Sequence, residues 1–228
     1  MSYTVNQFLD VFKTFCINDM KKSGILASLT AAQGFIESRK GNSGLTVQCN
    51  NLFGIKGKYN GQSKKFWTTE YYNGVKTRIQ ADFRVYPSWQ ESVNDHSAMF
   101  NRLSRYENLR NCQDYEEACV NVKKDGYATA PDYAQTLIKR IKADRLWMWD
   151  YEVLKLYSPD KLRTIRLGAD GGGVYLLQLL LTQNCYRLDC DGQFGGQTEN
   201  CLMRYQMAQG LKVDGICGPK TWASIKKM

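Results

Sequence analysis

A chain of 228 residues with a formal net charge of +9 is long enough for one large or two modest domains, each with its own core. A hydrophobic share of 43% and a charged share of 23% are those of an ordinary globular protein, and no apolar run is long enough to cross a membrane. The positive charge suits either a polyanionic partner or plain solubility, but Lys and Arg occur in runs of at most two and no nucleic-acid motif is present, so neither nucleic acid nor a membrane is expected as a partner. The N-terminal MSYTVNQFLDVFKTF has no basic n-region and no continuous apolar h-region, so no secretory signal is expected. It reads instead as an amphipathic first helix with Val5, Phe8, Leu9, Phe12 and Phe15 on one face.

Ser23 predicts the N-cap of a second helix. Ile25, Leu29, Ala32 and Ile36 form its core stripe. The neighbouring stripe, about 100° round, is Leu26, Thr30, Gln33 and Glu37 and turns from apolar to polar along its length. Glu37 is thereby placed at the edge of the buried face, where the wall of a cleft would be. Residues 53–86 change character: FWTTEYYNGVKTRI is rich in β-formers around Asn73-Gly74, a strong hairpin signal. Glu70 shares a strand face with Thr68 and Tyr72. Helical periodicity returns in PSWQESVNDHSAMFNRL, where Trp89, Val93, His96, Phe100 and Leu103 share a stripe. On such a stripe His96, the only histidine, reads as a core-edge residue with a satisfied hydrogen bond rather than as a catalytic base. PDYAQTLIKRIKADRLWMWD predicts a further helix with Pro131 in its first turn and Tyr133, Leu137, Ile141 and Leu146 inward.

Residues 151–166 read as a helix tail and a short linker around Ser158-Pro159, which divides the chain into domains at 1–150 and 167–228. The second domain contains an echo. DGQFGGQT at Asp191 to Thr198 and DGICGPKT at Asp214 to Thr221 both spell D-G-x-x-G-x-x-T. Asp-Gly marks a turn, and Thr just after Gly marks a helix start, so two loop–helix units in a compact three-helix module are expected. Cys185, Cys190, Cys201 and Cys217 form no CxxC pair and are expected as small buried apolar residues rather than metal ligands. No metal and no cofactor is called for.

Nucleophile chemistry has no support: GxSxG, a catalytic Cys signature and phosphate-binding loops are all missing from the sequence. Glycoside hydrolysis needs little more than carboxyl groups. One donates a proton to the leaving oxygen and the other steadies an oxocarbenium-like transition state or activates water. Glu37 suits the first role and Glu70 the second.

In order, AAQGFIES, NNLFGIKG at Asn50 to Gly57, TTEYYNG, FRVYPSWQESVNDH at Phe83 to His96 and GYATAPDYA from Gly126 resemble the bacterial endo-β-N-acetylglucosaminidases of glycoside hydrolase family 73, the flagellar-rod and autolysin type. The resemblance runs from Ala32 to Tyr133. It implies a mainly α, lysozyme-like domain with a small β-lobe, with Glu37 as general acid, Glu70 as second carboxylate and Tyr127 in the cleft near the acid. It also places Asn51 and Phe53 in a segment lining the cleft floor, with Phe53 equally readable as core, and makes Tyr72 and Tyr133 candidate substrate contacts. One departure stands out. Arg39-Lys40-Gly41 replaces the Gly-Trp-Gly-like run that usually follows the Glu-Ser pair, which puts a subsite contact in doubt but not the acid.

The last 60 or so residues, VYLLQLLLTQNCYRLDCDGQFGGQT and YQMAQGLKVDGICGPKTW, resemble the peptidoglycan-binding domain 1 family. That resemblance makes Asp191 and Asp214 either wall contacts or turn formers, and Tyr205, Gln206 and Trp222 further wall-binding candidates, Trp222 being equally readable as core. Together the two resemblances imply a cell-wall lytic enzyme that cuts the β-1,4 bond after N-acetylglucosamine in peptidoglycan. The missing signal further suggests a phage or prophage endolysin, cytoplasmic until release. A lytic transglycosylase and a non-catalytic wall-binding protein are the alternatives. Inverting attack and participation by the substrate's acetamido group both remain open.

Overall fold

The computed structural model describes residues 2–72 and 75–227, and the side chains of residues 70–75 lie outside that description. The expected Asn73-Gly74 turn therefore lies outside the described residues. The chain divides into two compact units, Met1–Ile25 with Thr30–Arg110 and Leu26–Leu29 with Asn111–Met228.

In the first unit, α1 (Val5–Ser23) opens with a capping box in which Thr4 Oγ1 accepts from Gln7 N and Gln7 Oε1 accepts from Thr4 N. Its buried line is Phe8, Phe12, Cys16 and Met20, and it packs on α4 (Trp89–Arg102). Ser23 does not open the second helix as expected. Gly24, at φ 74°, closes α1 with its N–H on Met20 O, and the Ser23 hydroxyl accepts from Ile25 N. A glycine at the C-terminal cap adopts the left-handed conformation at no steric cost, which settles the boundary ahead of the serine.

The second helix, α2 (Ala27–Glu37), begins in the second unit and continues in the first. Every residue from Ile25 to Gly34 is buried. Gly34 is required here, because a Cβ on it would lie 2.5 Å from the Phe12 ring. A short α3 (Gly44–Cys49) follows, capped by Ser43. The hairpin β1 (Ser63–Tyr72) and β2 (Val75–Arg84) is antiparallel, with Ser63 opposite Arg84 and Glu70 opposite Thr77. Val93, His96 and Phe100 of α4 are buried as the periodicity predicts. His96 lies stacked 3.8 Å from the Phe53 ring, and burial pushes its imidazole down to about 3. It is a neutral residue of the core interior, deeper than the core edge the sequence suggested.

In the second unit, α5 (Tyr115–Lys124), α6 (Tyr133–Ala143) and α7 (Trp147–Leu154) precede the three-helix module α8 (Gly172–Gln183), α9 (Gly196–Ala208) and α10 (Pro219–Ile225). The single helix expected after Pro131 is two. Pro131 lies in a turn before Tyr133, and Arg145, at φ 51°, separates α6 from α7. Tyr133, Leu137, Ile141 and Leu146 are buried as expected. The start of α2 is capped from far along the chain. Buried Asp150 of α7 accepts from Ser28 N at 2.8 Å, and burial pushes its carboxyl up to about 7.

The sequence echo is also a structural one. Gln178 Nε2 donates to Asp191 Oδ1 (2.9 Å), Gln193 O (3.0 Å) and Thr198 Oγ1 (3.1 Å), while Gly192 N donates to Gln178 Oε1 (2.8 Å). Gln206 Nε2 repeats the pattern with Asp214 Oδ1 (3.0 Å), Ile216 O (3.0 Å) and Thr221 Oγ1 (3.4 Å), and Gln206 Oε1 accepts from Asp214 N and Gly215 N. Each buried glutamine satisfies the polar backbone of the loop that leads into the next helix.

Candidate active site and wall-binding module

Glu37 is the last residue of α2 and is exposed, two half-buried residues after the buried run that ends at Gly34. A carboxyl in the last turn of a helix meets the negative end of the helix dipole, where an anion is less favoured than a neutral group. The chain then reverses sharply. Arg39, Lys40 and Gly41 stand consecutively at φ 52°, 59° and 75°. Buried Ser38 organises the reversal: its hydroxyl donates to Gly34 O and accepts from Gly41 N, and its carbonyl accepts from Ser43 N. Gly41 packs so closely on Trp89 that a Cβ would lie 2.8 Å from the ring. Left-handed backbone costs an L-residue about 1–2 kcal/mol, and strain of this kind gathers at functional sites. The family's glycine in place of Arg39 now has a physical reason.

The remaining candidates of the first unit divide. Asn51 is only 1% exposed. Its Nδ2 donates to Ile55 O and Arg84 O, and its Oδ1 accepts from Ile55 N. The expected substrate contact at Asn51 is therefore corrected: the amide is used up in fixing the loop to the hairpin. Phe53 is likewise buried, stacked on His96, and is core. Glu70 and Tyr72 sit near the end of β1, opposite Thr77 and Val75, with side chains outside the described part. Sequence reasoning passed over Trp67, which is 59% exposed with the Arg78 guanidinium 4.9 Å from its ring. An exposed Trp on a strand is a signal legible only once the strand faces are assigned.

In the second unit, Gly126 at φ 81° turns the chain after α5, and Tyr127 follows, half-buried, its ring stacked on Tyr133 at 5.9 Å. Tyr133 itself is buried. It backs Tyr127 rather than offering a face to substrate, which corrects the second expectation. In the module, Tyr205, Gln206 and Trp222 are 0%, 1% and 0% exposed, so the wall-binding expectations at Tyr205 and Gln206 are corrected and Trp222 takes its core reading. Tyr205 OH pairs with Ser224 Oγ, Gln206 serves its loop, and Trp222 Nε1 donates to Arg163 O. Asp191 and Asp214 each have Oδ1 engaged in their own turns, accepting from Gln193 N and Ile216 N. The Ile216 N–H holds the Asp214 carboxyl below its ordinary value. Cys201 and Cys217 are buried as expected, but Cys185 is exposed and Cys190 half-exposed. Among the described residues no cluster of His, Cys, Asp and Glu could hold a metal.

Residues 13–146 match the glucosaminidase family described as mannosyl-glycoprotein endo-β-N-acetylglucosaminidase. The chain belongs to this glucosaminidase family. Residues 170–225 match a putative peptidoglycan binding domain. The exo-glucosaminidase LytG of Bacillus subtilis (strain 168) is 38% identical over 122 residues, 51% of this chain and 43% of LytG. The peptidoglycan hydrolase FlgJ of Salmonella typhimurium is 33% identical over 144 residues, 60% of this chain and 45% of FlgJ. The chain thus spans less than half the length of these relatives. Among solved structures, the catalytic domain of the autolysin Auto (Lmo1076) from Listeria monocytogenes superposes with a TM-score of 0.61 at 31% identity, over 66% of this chain and 91% of that domain. The glucosaminidase part is a lysozyme-like helical domain whose hairpin is its small β-lobe, and the three-helix part is the peptidoglycan-binding type. Glu37, Glu70 and Tyr127 all fall within the glucosaminidase match.

Proposed function

We propose that the chain hydrolyses peptidoglycan at the β-1,4 bond after N-acetylglucosamine. Residues 1–150 would do the chemistry, 151–166 connect, and 167–228 bind the wall. The observation that carries this reading is the position of Glu37, an exposed carboxyl on the last residue of a helix buried from Ala27 to Gly34, within the glucosaminidase match. Glu37 protonates the leaving glycosidic oxygen. Glu70 then either activates water from the opposite face of the ring or positions the substrate's acetamido group to attack; both routes pass through an oxocarbenium-like transition state. Tyr127, held by its stack on Tyr133, takes the assisting role the family pattern gives it. The test is mass spectrometry of digested walls, with NMR of the first anomer formed. New reducing-end N-acetylglucosamine supports hydrolysis after that sugar, and anhydro-muramyl products overturn it in favour of transglycosylation. An inverted anomer rules out acetamido participation, and a retained one rules out inverting attack with Glu70 as base.

We extend the reading to phage-type host lysis, with accumulation in the cytoplasm and action on the wall only after the membrane is breached. Cys49, Cys119, Cys201 and Cys217 are buried free thiols, which suits a reducing compartment. In an expressing bacterium, turbidity should fall only once a pore-former permeabilises the membrane. Lysis without one overturns the cytoplasmic assignment.

A further inference from the structure

The second unit contains a cavity of about 730 Å³ that takes no part in the chemistry assigned to Glu37. From the end of α6 and the turn before α7 come Lys142 and Arg145; from the loops of the module come Asp189, Asp191 and Asp170. Packed elements fix this arrangement. Tyr115 OH donates to Asp170 Oδ2 at 2.6 Å, and Lys142 Nζ lies 3.7 Å from the same carboxylate. Gly192 presses on Trp147, where a Cβ would come within 2.8 Å of the indole, and Gly171 N donates to Gly192 O. The Arg145 guanidinium rests 5.1 Å from the Trp147 ring centroid.

Two of these charges are not consumed by the fold. Among the described residues, neither Arg145 nor Asp189 has an ion-pair partner, and both side chains are exposed. A cavity of several hundred Å³ with a few convergent polar groups has the dimensions of a small-ligand site. Cations from one set of elements and carboxylates from another match a ligand that carries both a carboxylate and an ammonium. A neutral N-acetylated sugar strand offers neither charge.

We propose that this cavity binds the peptide stem of the cell wall. The stem's free carboxylate is taken by Arg145, and the side-chain ammonium of its diamino acid by Asp189; Lys142, paired with Glu116 and Asp170, and Asp191, held in its own turn, frame the site. The assignment rests on the reading that peptidoglycan is the target, and it makes the module a reader of the peptide rather than of the glycan.

The test uses the full chain carrying Glu37→Gln, so that the ligand is not cut, and isothermal titration with two probes. One is a disaccharide-tetrapeptide with a free diamino-acid side chain; the other is an N-acetylglucosamine oligosaccharide without peptide. Arg145→Gln and Asp189→Asn should each weaken muropeptide binding at least tenfold and leave oligosaccharide binding unchanged. Arg145 stacks on the Trp147 ring, so Asp189→Asn, at an exposed loop position, remains informative if Arg145→Gln perturbs folding. Unchanged muropeptide affinity in Asp189→Asn, or no muropeptide binding by the parent chain, overturns the proposal. Wall digestion by the native chain in parallel separates the two readings. Digestion without stem binding removes only the cavity, and stem binding without digestion removes only the hydrolase.

Discussion

Replacing Gln206 by Ala should unfold the wall-binding module at markedly lower denaturant. The side chain is 1% exposed, accepts from Asp214 N and Gly215 N, and donates to Asp214 Oδ1, Ile216 O and Thr221 Oγ1. Removing it leaves two backbone donors without their partner and Ile216 O with only its 3.4 Å bond from Thr221 Oγ1. Each buried unsatisfied group costs about 1–3 kcal/mol, and water entering from the half-buried Asp214 side relieves part of this, so the net loss is roughly 3–5 kcal/mol. That is a large fraction of the ~5–15 kcal/mol that holds a domain together. Gln178→Ala removes the matching set of bonds in the first loop and should cost the same to within about 1 kcal/mol. Gln206→Glu is a sharper test. It keeps the acceptor, but turns the donor that faces Asp214 Oδ1 at 3.0 Å into a carboxylate, and like charges that close cannot both ionise cheaply. It should therefore be unstable at pH 7 and regain stability on acidification. Urea unfolding followed by tryptophan fluorescence reads all three, since Trp222 is fully buried in the module. A loss below about 1 kcal/mol for either alanine variant, or a wild-type midpoint for Gln206→Glu at pH 7, would refute the account of the echo.

Two further predictions concern α2 and its exit. Burial pushes the folded Asp150 carboxyl up to about 7 from its ordinary 3.8, so the stability it contributes is full below pH 4 and is lost as pH rises through 7. Asp150→Asn keeps an oxygen for Ser28 N and does not titrate. Its stability relative to wild type should rise between pH 4 and pH 7 by up to roughly 4 kcal/mol, whereas a flat difference curve from pH-dependent thermal melts contradicts the assignment. At Arg39, φ 52° predicts that Arg39→Gly is neutral to about 1 kcal/mol stabilising and Arg39→Val destabilising by at least about 1 kcal/mol. A valine variant as stable as wild type would show that no strain is held in the turn after Glu37.

Much of this was legible in the sequence because it was periodic or local. The phase of α2 placed Glu37 at the end of the buried face, the β-former run marked both hairpin strands, and the D-G-x-x-G-x-x-T echo marked the two loop–helix units of the module. What escaped was polar chemistry satisfied at a distance. Asn51 stands at the start of a loop, and Gln178 and Gln206 lie in the helices ahead of theirs; a sequence does not distinguish an amide that meets a ligand from one that meets its own backbone. The Asp150 cap reaches across 122 positions to Ser28, and no local pattern encodes it. Ser23 was misread because two cap signals stood side by side and Gly24 prevailed. Aromatic Tyr133, Tyr205 and Trp222 looked like sugar platforms, but large rings are more often interior, and here all three are.

The most direct measurement is the digestion of purified cell walls by wild type and by Glu37→Gln at equal folded concentration, with turbidity and released reducing ends followed together. Glutamine keeps the size and the hydrogen-bonding edge but has no proton to give. Wall binding should therefore persist while the cleavage rate falls by at least the 10²–10⁴-fold that general acid catalysis supplies. Cleavage by Glu37→Gln at the wild-type rate would contradict the account at its centre.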